Sequence, residues 1–304
     1  MKNHRKTIGI VLLFLIGLSI LLYPTISDRW NEYRAQQLIS SYDTAVATGK
    51  NQDYSKMLAE ASDYNVKLTH EIIPDAFSIR DGVEDKTYES LLNPMGDGMM
   101  GYVEIPAIKV KSPLYHYTTE EVLKKGIGHL FGSSLPVGGK NTHAVVSAHR
   151  GLPSAKLFTD LDLVEKGDVF YVHVLDEILA YKVDQILVVK PEETEALGIE
   201  EDKDYVTLVT CTPYAVNSHR ILVRGHRIPY DGELHKELVQ NVSGQKTPDW
   251  MPQVICVLIG CMIAAGVAAF INRKELMGKR KSKAKNEETA DEEKSGEESE
   301  EKRD

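Results

Sequence analysis

The stretch Asp204–Arg227, DYVTLVTCTPYAVNSHRILVRGHR, holds two runs rich in β-branched residues on either side of a polar turn. Alternation and β-branching predict a strand over Tyr205–Cys211 and another over Arg220–Ile228. If the two form a hairpin, the last residue of one faces the first of the next across residues 212–218. Cys211 and Arg220 then lie close together. Similar short runs precede this stretch at Gly101–Ile105, Val110–Tyr115, Ala144–Ser147, Asp168–Leu175 and Ile178–Val189. Turn residues separate them at Ile105-Pro106, Pro136–Gly139, Gly167-Asp168 and Pro191. Many short strands so punctuated predict a closed or nearly closed β architecture.

A thiol at a strand end sits on a rigid platform open to a cleft. It becomes a strong nucleophile as the thiolate, which a nearby cation favours. Attack on an amide also needs a proton for the departing amine, a task for histidine. A guanidinium can bind substrate or steady charge on the carbonyl oxygen, but it cannot act as an acid. Among the histidines of the central region, His149 ends an apolar strand just before Arg150-Gly151. His143 enters the same strand from its other end, and His129, His173, His219 and His226 have no comparable context. The three cysteines are Cys211, Cys256 and Cys261, and the last two lie inside an apolar run. Cys211 therefore has no partner for an intramolecular disulfide in the central region. It is paired between chains, kept free for reactivity, or a small buried hydrophobe.

That run, Met251–Ile271, is the second of two; the first is Thr7–Tyr23. Each is uncharged and of a length to span a bilayer. Lys2, Arg5 and Lys6 precede the first, and Arg273, Lys274, Lys279, Arg280, Lys281, Lys283 and Lys285 follow the second. Positive flanks stay in the cytoplasm, so both termini are expected inside and the middle outside. No small-x-small cleavage site follows the first run, which favours an uncleaved anchor. After it, Asp28–Gly49 reads as an amphipathic helix and Tyr54–Glu71, ended by Pro74, as another. Residues 75–100 read as irregular, with a short helix near Glu84–Leu92. The net charge of −9 includes a Glu-rich disordered tail from Glu287, and nothing in the pattern suggests nucleic-acid binding. The histidines show no zinc-like spacing, so no metal and no other cofactor is expected.

Thr207–Cys211 (TLVTC), with an arginine nine residues on, together with Ala148–Gly151 (AHRG), resembles the motifs of the sortase family. The segment 204–227 is similar to class C sortases, the pilin polymerases. The resemblance implies a mainly β fold: an eight-stranded barrel with N-terminal helices and a lid segment, flanked by two transmembrane helices. The expected divisions are 1–27 (cytoplasmic start and first span), 28–73 (helices), 74–100 (lid), 101–249 (catalytic barrel), 250–272 (second span) and 273–304 (tail). It implies Cys211 as nucleophile, His149 as general acid and base, and Arg220 as substrate and oxyanion ligand. It further implies a lid in which Asp75 pairs with the arginine and Phe77 covers the thiol. Ala76 stands where such lids usually carry proline, which loosens the backbone. The expected partners are the membrane and pilin subunits carrying an LPxTG-type signal and an acceptor lysine. In a wall-anchoring reading the acceptor is a peptidoglycan precursor instead. Hydrolysis by the same residues and a non-catalytic binding module also stay open. Arg150 and Arg224 are expected as surface or rim charges, Thr210 as a backbone support, and the acidic residues of Glu192–Glu195 and Glu200–Asp204 as a solvated loop in preference to a metal site.

Overall fold

The computed structural model describes residues 2–49, 54–68, 75–77, 85–244, 255, 257–262, 266, 273 and 277. It divides into two units, residues 1–22 with 247–304 and residues 23–246. The second carries eight strands closed into a barrel. They are β1 (Met99–Ile105), β2 (Val110–His116), β3 (Ile127–His129), β4 (Thr142–Ser147), β5 (Val169–Val174), β6 (Glu177–Val189), β7 (Asp204–Thr212) and β8 (His219–Ile228). The order around the ring is β1-β2-β3-β4-β7-β8-β6-β5. The β2–β3 and β4–β7 pairs are parallel and the rest antiparallel. Every strand has two neighbours, so no edge is left to pair with another chain.

Seven strands fall where the sequence pattern predicts them, within two residues at each end. The eighth, β3, has three residues, too short for an alternation to register. Two helices also lack a counterpart among the sequence expectations: α4 (Glu120–Lys125), capped by Thr119, and α5 (Gly232–Gly244) after the last strand. The expected barrel region to residue 249 thus ends as strand at Ile228 and continues as helix.

At the N-terminal end, α1 is one helix over Lys2–Thr48 with Pro24 inside it, rather than a span followed by a separate helix. Leu12–Thr48 contains an 18-residue window of mean hydropathy 1.4, none of it buried, and is long and apolar enough to cross a membrane. The expected second span lies mostly outside the described residues, and the tail after 277 wholly so. Helix α2 covers Tyr54–Lys67, shorter than expected; Pro74, the anticipated stop, lies outside the described residues. Helix α3 is Lys86–Ser90. One turn cannot hold alone. Asp85 caps it by accepting from the Thr87 and Tyr88 amides, and the fully buried Tyr88 hydroxyl meets His129 Nδ1 at 2.7 Å.

The barrel interior is filled by alternate residues of each strand, among them Val103, Leu114, Val146, Phe170, Leu208 and Val223. Helix α1 is fastened outside through Tyr42, whose ring is fully buried. Its hydroxyl donates to Met100 O at 2.8 Å and accepts from Leu175 N at 2.7 Å. Phe at this position keeps the apolar ring and leaves a buried amide without its acceptor. Tyr42→Phe is therefore expected to cost about 1–3 kcal/mol, read as a lowered denaturant midpoint at unchanged slope.

Candidate active site

The outward-facing set of β4, β7 and β8 builds the site. Along β7, Val206 and Leu208 point into the core, so Val209 and Cys211 share the other face. On β8, Ile221 and Val223 point inward and Arg220 and Leu222 outward. On β4 and its continuation, Val146 and Ala148 are inward, while Val145 and, by the same alternation, His149 are outward. Cys211 and Arg220 are direct partners in the β7–β8 ladder. The predicted hairpin and its register are thus present. A slip of one residue would turn the thiol into the core.

His149 is tied to β7 through its neighbour. Ala148 N donates to Val209 O at 3.3 Å, and the buried Thr210 Oγ1 donates to Ala148 O at 2.7 Å. Thr210 therefore supports the site through its side chain as well as its ladder position, a correction to the expected backbone role. Gly151 ends this segment at φ +75°, and a Cβ there would come within 2.7 Å of the Tyr214 ring. Only glycine suits both the left-handed backbone and that close approach.

The segment 75–77 lies over this face. Ala76 is buried in a cluster with Leu130, Val145, Leu197, Val209 and Leu222. Arg220 Nε and Nη2 donate to the two Asp75 carboxylate oxygens at 2.7 and 2.8 Å. Arg220 Nη1 donates to the Asn217 and His219 carbonyls, both at 3.2 Å. The guanidinium is thus bonded on every nitrogen. The Phe77 ring sits between the two polar groups, with the Arg220 guanidinium carbon 5.0 Å from its centroid and the His149 ring centroid at 6.0 Å. Burial pushes the half-buried Cys211 thiol above its ordinary pKa; Arg220 pulls it down and Asp75 pushes it up. Burial is the largest of the three effects, so the net shift favours the neutral thiol.

Three groups around the site have roles that no sequence pattern shows. Arg150, expected as a rim charge, has a side chain only 9% exposed, donates to Thr212 Oγ1 at 2.9 Å and pairs with Asp162. Arg224, also expected at the rim, stacks over Tyr205 and joins Asp184 to Glu200. The loop carrying Glu200 is therefore tied to the barrel, and Leu197 packs into the same cluster as Ala76. Glu120 of α4 brings Oε2 within 3.5 Å of His149 Nε2. Its distance in the chain left no pattern to read. His143 is fully buried, bonded to Thr207 Oγ1 at 2.7 Å and Gly198 O at 2.8 Å, and burial lowers its pKa to about 4. It is a neutral structural group.

The site so described is a strand-end thiol paired across the ladder with an arginine on a closed β-barrel. Residues 103–228 match the family model described as sortase domain. A sortase C of Streptococcus pneumoniae, studied for its catalysis and pilin substrate specificity, is 46% identical. The match covers 64% of this chain and 98% of that one with a TM-score of 0.59. A sortase C2 from pilus island 1 of group B Streptococcus is 48% identical, over 58% of this chain and 97% of that one, with a TM-score of 0.53. Sortase A of Bacillus anthracis is 26% identical over 224 residues, 74% of this chain and 95% of that protein. The chain belongs to the sortase family of cysteine transpeptidases, and its similar solved structures are class C sortases.

Proposed function

We propose that this protein is a membrane-anchored pilin polymerase in which Cys211, His149 and Arg220 carry the reaction. The observation that carries the reading is the cross-strand pair Cys211–Arg220 with the arginine's fork held by Asp75. A carboxylate there occupies donors that a reacting carbonyl oxygen would need. The segment 75–77 acts as a lid that must leave before substrate enters.

The steps follow from these groups. Cys211 passes its proton to His149, the thiolate Sγ attacks the threonine carbonyl of an LPxTG-type signal, and Arg220 steadies the oxyanion. The C–N bond breaks as His149 gives its proton to the departing amine, leaving a thioester on Cys211. A pilin lysine amine then attacks, loses a proton to His149, and expels the thiolate as an isopeptide bond forms. The domain stands outside the membrane on two spans with both termini cytoplasmic. Sortases named A among the relatives favour a second reading, in which the acceptor is a peptidoglycan amine.

Mass spectrometry of the full chain after incubation with an LPxTG-type peptide tests the proposal. A threonine-ended acyl group on Cys211 is the expected adduct, discharged by a pilin lysine faster than by a peptidoglycan amine. An unmodified Cys211 under conditions where the peptide is cut would overturn the reading.

The lid makes its own prediction. Replacing Asp75 by Asn and Phe77 by Ala removes the charge that raises the Cys211 pKa and the ring that covers the site. The thiol pKa is expected to fall. Iodoacetamide labelling of Cys211 should therefore speed up near neutral pH, with its pH midpoint moved down. An unchanged labelling rate would remove the lid.

A further inference from the structure

Outside this site, three groups of metal-binding type meet on the outer wall of the barrel: Glu104 on β1, His173 on β5 and His235 on α5. No sequence pattern announces them, because the residues are far apart in the chain and obey no local spacing. The ladder supplies the first two. Tyr102 pairs with His173 and Glu104 with Tyr171, so Glu104 and His173 are diagonal neighbours on one face. Val103 and Ile105 point into the core, which turns Glu104 outward. Helix α5 then lies across this face and delivers His235. The β1–β5 seam is separated by β6 and the neighbouring strands from the β7–β8 seam that holds Cys211.

The two edges that meet at Glu104 fit a small tetrahedral cation, and the third needs only a small inward turn of an imidazole. Glu104 Oε2 is 3.4 Å from His173 Nε2 and 3.3 Å from His235 Nε2, and all the ligand atoms lie within 4.8 Å of one another. Bonds of about 2.0–2.1 Å in a tetrahedron put neighbouring ligand atoms about 3.3–3.4 Å apart. His173 gives the independent sign. Its side chain is 8% exposed, yet Nε2 is buried and makes no hydrogen bond of normal geometry.

The supporting groups orient the ligands in the manner of an outer coordination shell. His235 Nδ1 meets the Tyr230 hydroxyl at 3.1 Å, which leaves Nε2 to point at Glu104. Tyr102 stacks on His173 with centroids 4.2 Å apart, and Tyr171 lies 4.0 Å from the His235 ring. One group opposes a cation: Lys111 Nζ is 3.8 Å from Glu104 Oε2. Its side chain is 43% exposed, so the ammonium has room to swing into water.

We propose that Glu104, His173 and His235 form a site for a divalent transition-metal ion of the zinc type, with a fourth position for water. Such an ion fastens α5, the helix that leads from the barrel to the C-terminal apolar run. It takes no part in the transpeptidase reaction.

The test uses the full chain in detergent micelles, carrying Cys211→Ala so that the thiol binds no metal. Zinc is titrated with equilibrium dialysis, and Co(II) is added separately for its visible d–d bands. One zinc per chain, tetrahedral Co(II) bands and a rise in Tm reversed by chelator are expected. Glu104→Gln and His235→Ala should each weaken zinc binding at least tenfold and abolish the Tm rise. His235 is half-buried on a peripheral helix, so its variant keeps the barrel if Glu104→Gln does not fold. No zinc retained, or equal retention by a folded His235→Ala chain, would overturn the site and leave the cluster as ion pairs alone.

Discussion

Cys211→Ala is expected to remove transpeptidation altogether, a loss on the order of 10⁴-fold or more in kcat. Alanine has no group that can carry the acyl chain, and Cys261, the other described free cysteine, lies in the apolar C-terminal run. The fold should survive, since Cys211 is half-buried at a strand end and its ladder bonds to β8 are backbone bonds. His149→Ala should lose activity on a comparable scale, because the departing amine then lacks its proton donor. The double variant should be no worse than Cys211→Ala alone, since the two residues act as one unit. A peptide-plus-amine assay with product quantified by mass checks all three. Near-normal turnover in Cys211→Ala would end the enzyme reading.

Arg220→Lys is expected to lower kcat/KM by about 10²–10³-fold, the scale for loss of one oxyanion donor. Charge is kept, but a single ammonium cannot reproduce the planar fork that spans both Asp75 oxygens at 2.7 and 2.8 Å. The same change should loosen the lid, because the Asp75 carboxylate loses one of two aligned donors. Labelling of Cys211 should then become faster while transpeptidation becomes slower. A damaged fold would lose both the assay signal and the thermal transition, so the opposed changes identify the role. Unchanged kcat/KM would leave Arg220 as a lid anchor without a part in the chemistry.

Much of the barrel was legible because strands announce themselves locally. The runs at Tyr205–Cys211 and Arg220–Ile228 alternate with period two, and their order makes them a hairpin, which fixes Cys211 opposite Arg220. The strand ending at His149 was legible for the same reason. β3 was missed because three residues carry no period. The short helix α4 was missed although Thr119 caps it and acids fill its first turn. Asp75 and Phe77 were read as a lid only from resemblance, since one acid and one ring in irregular chain have no physical mark of their own. Arg150, Arg224 and Glu120 were misjudged or unseen because burial and pairing arise from segments far away in sequence.

The sequence by itself determined seven of the eight strands, the cross-strand meeting of the thiol and the guanidinium, the strand-end place of the imidazole, and the apolar N-terminal helix. Each of these depends on residues within a few positions of one another, where periodicity and turn chemistry act. Only the tertiary structure decided that Asp75 holds Arg220, that Phe77 lies between Arg220 and His149, and that Glu104, His173 and His235 converge. Such meetings follow from closure of the sheet into a ring and the docking of chain across it, which no local pattern encodes.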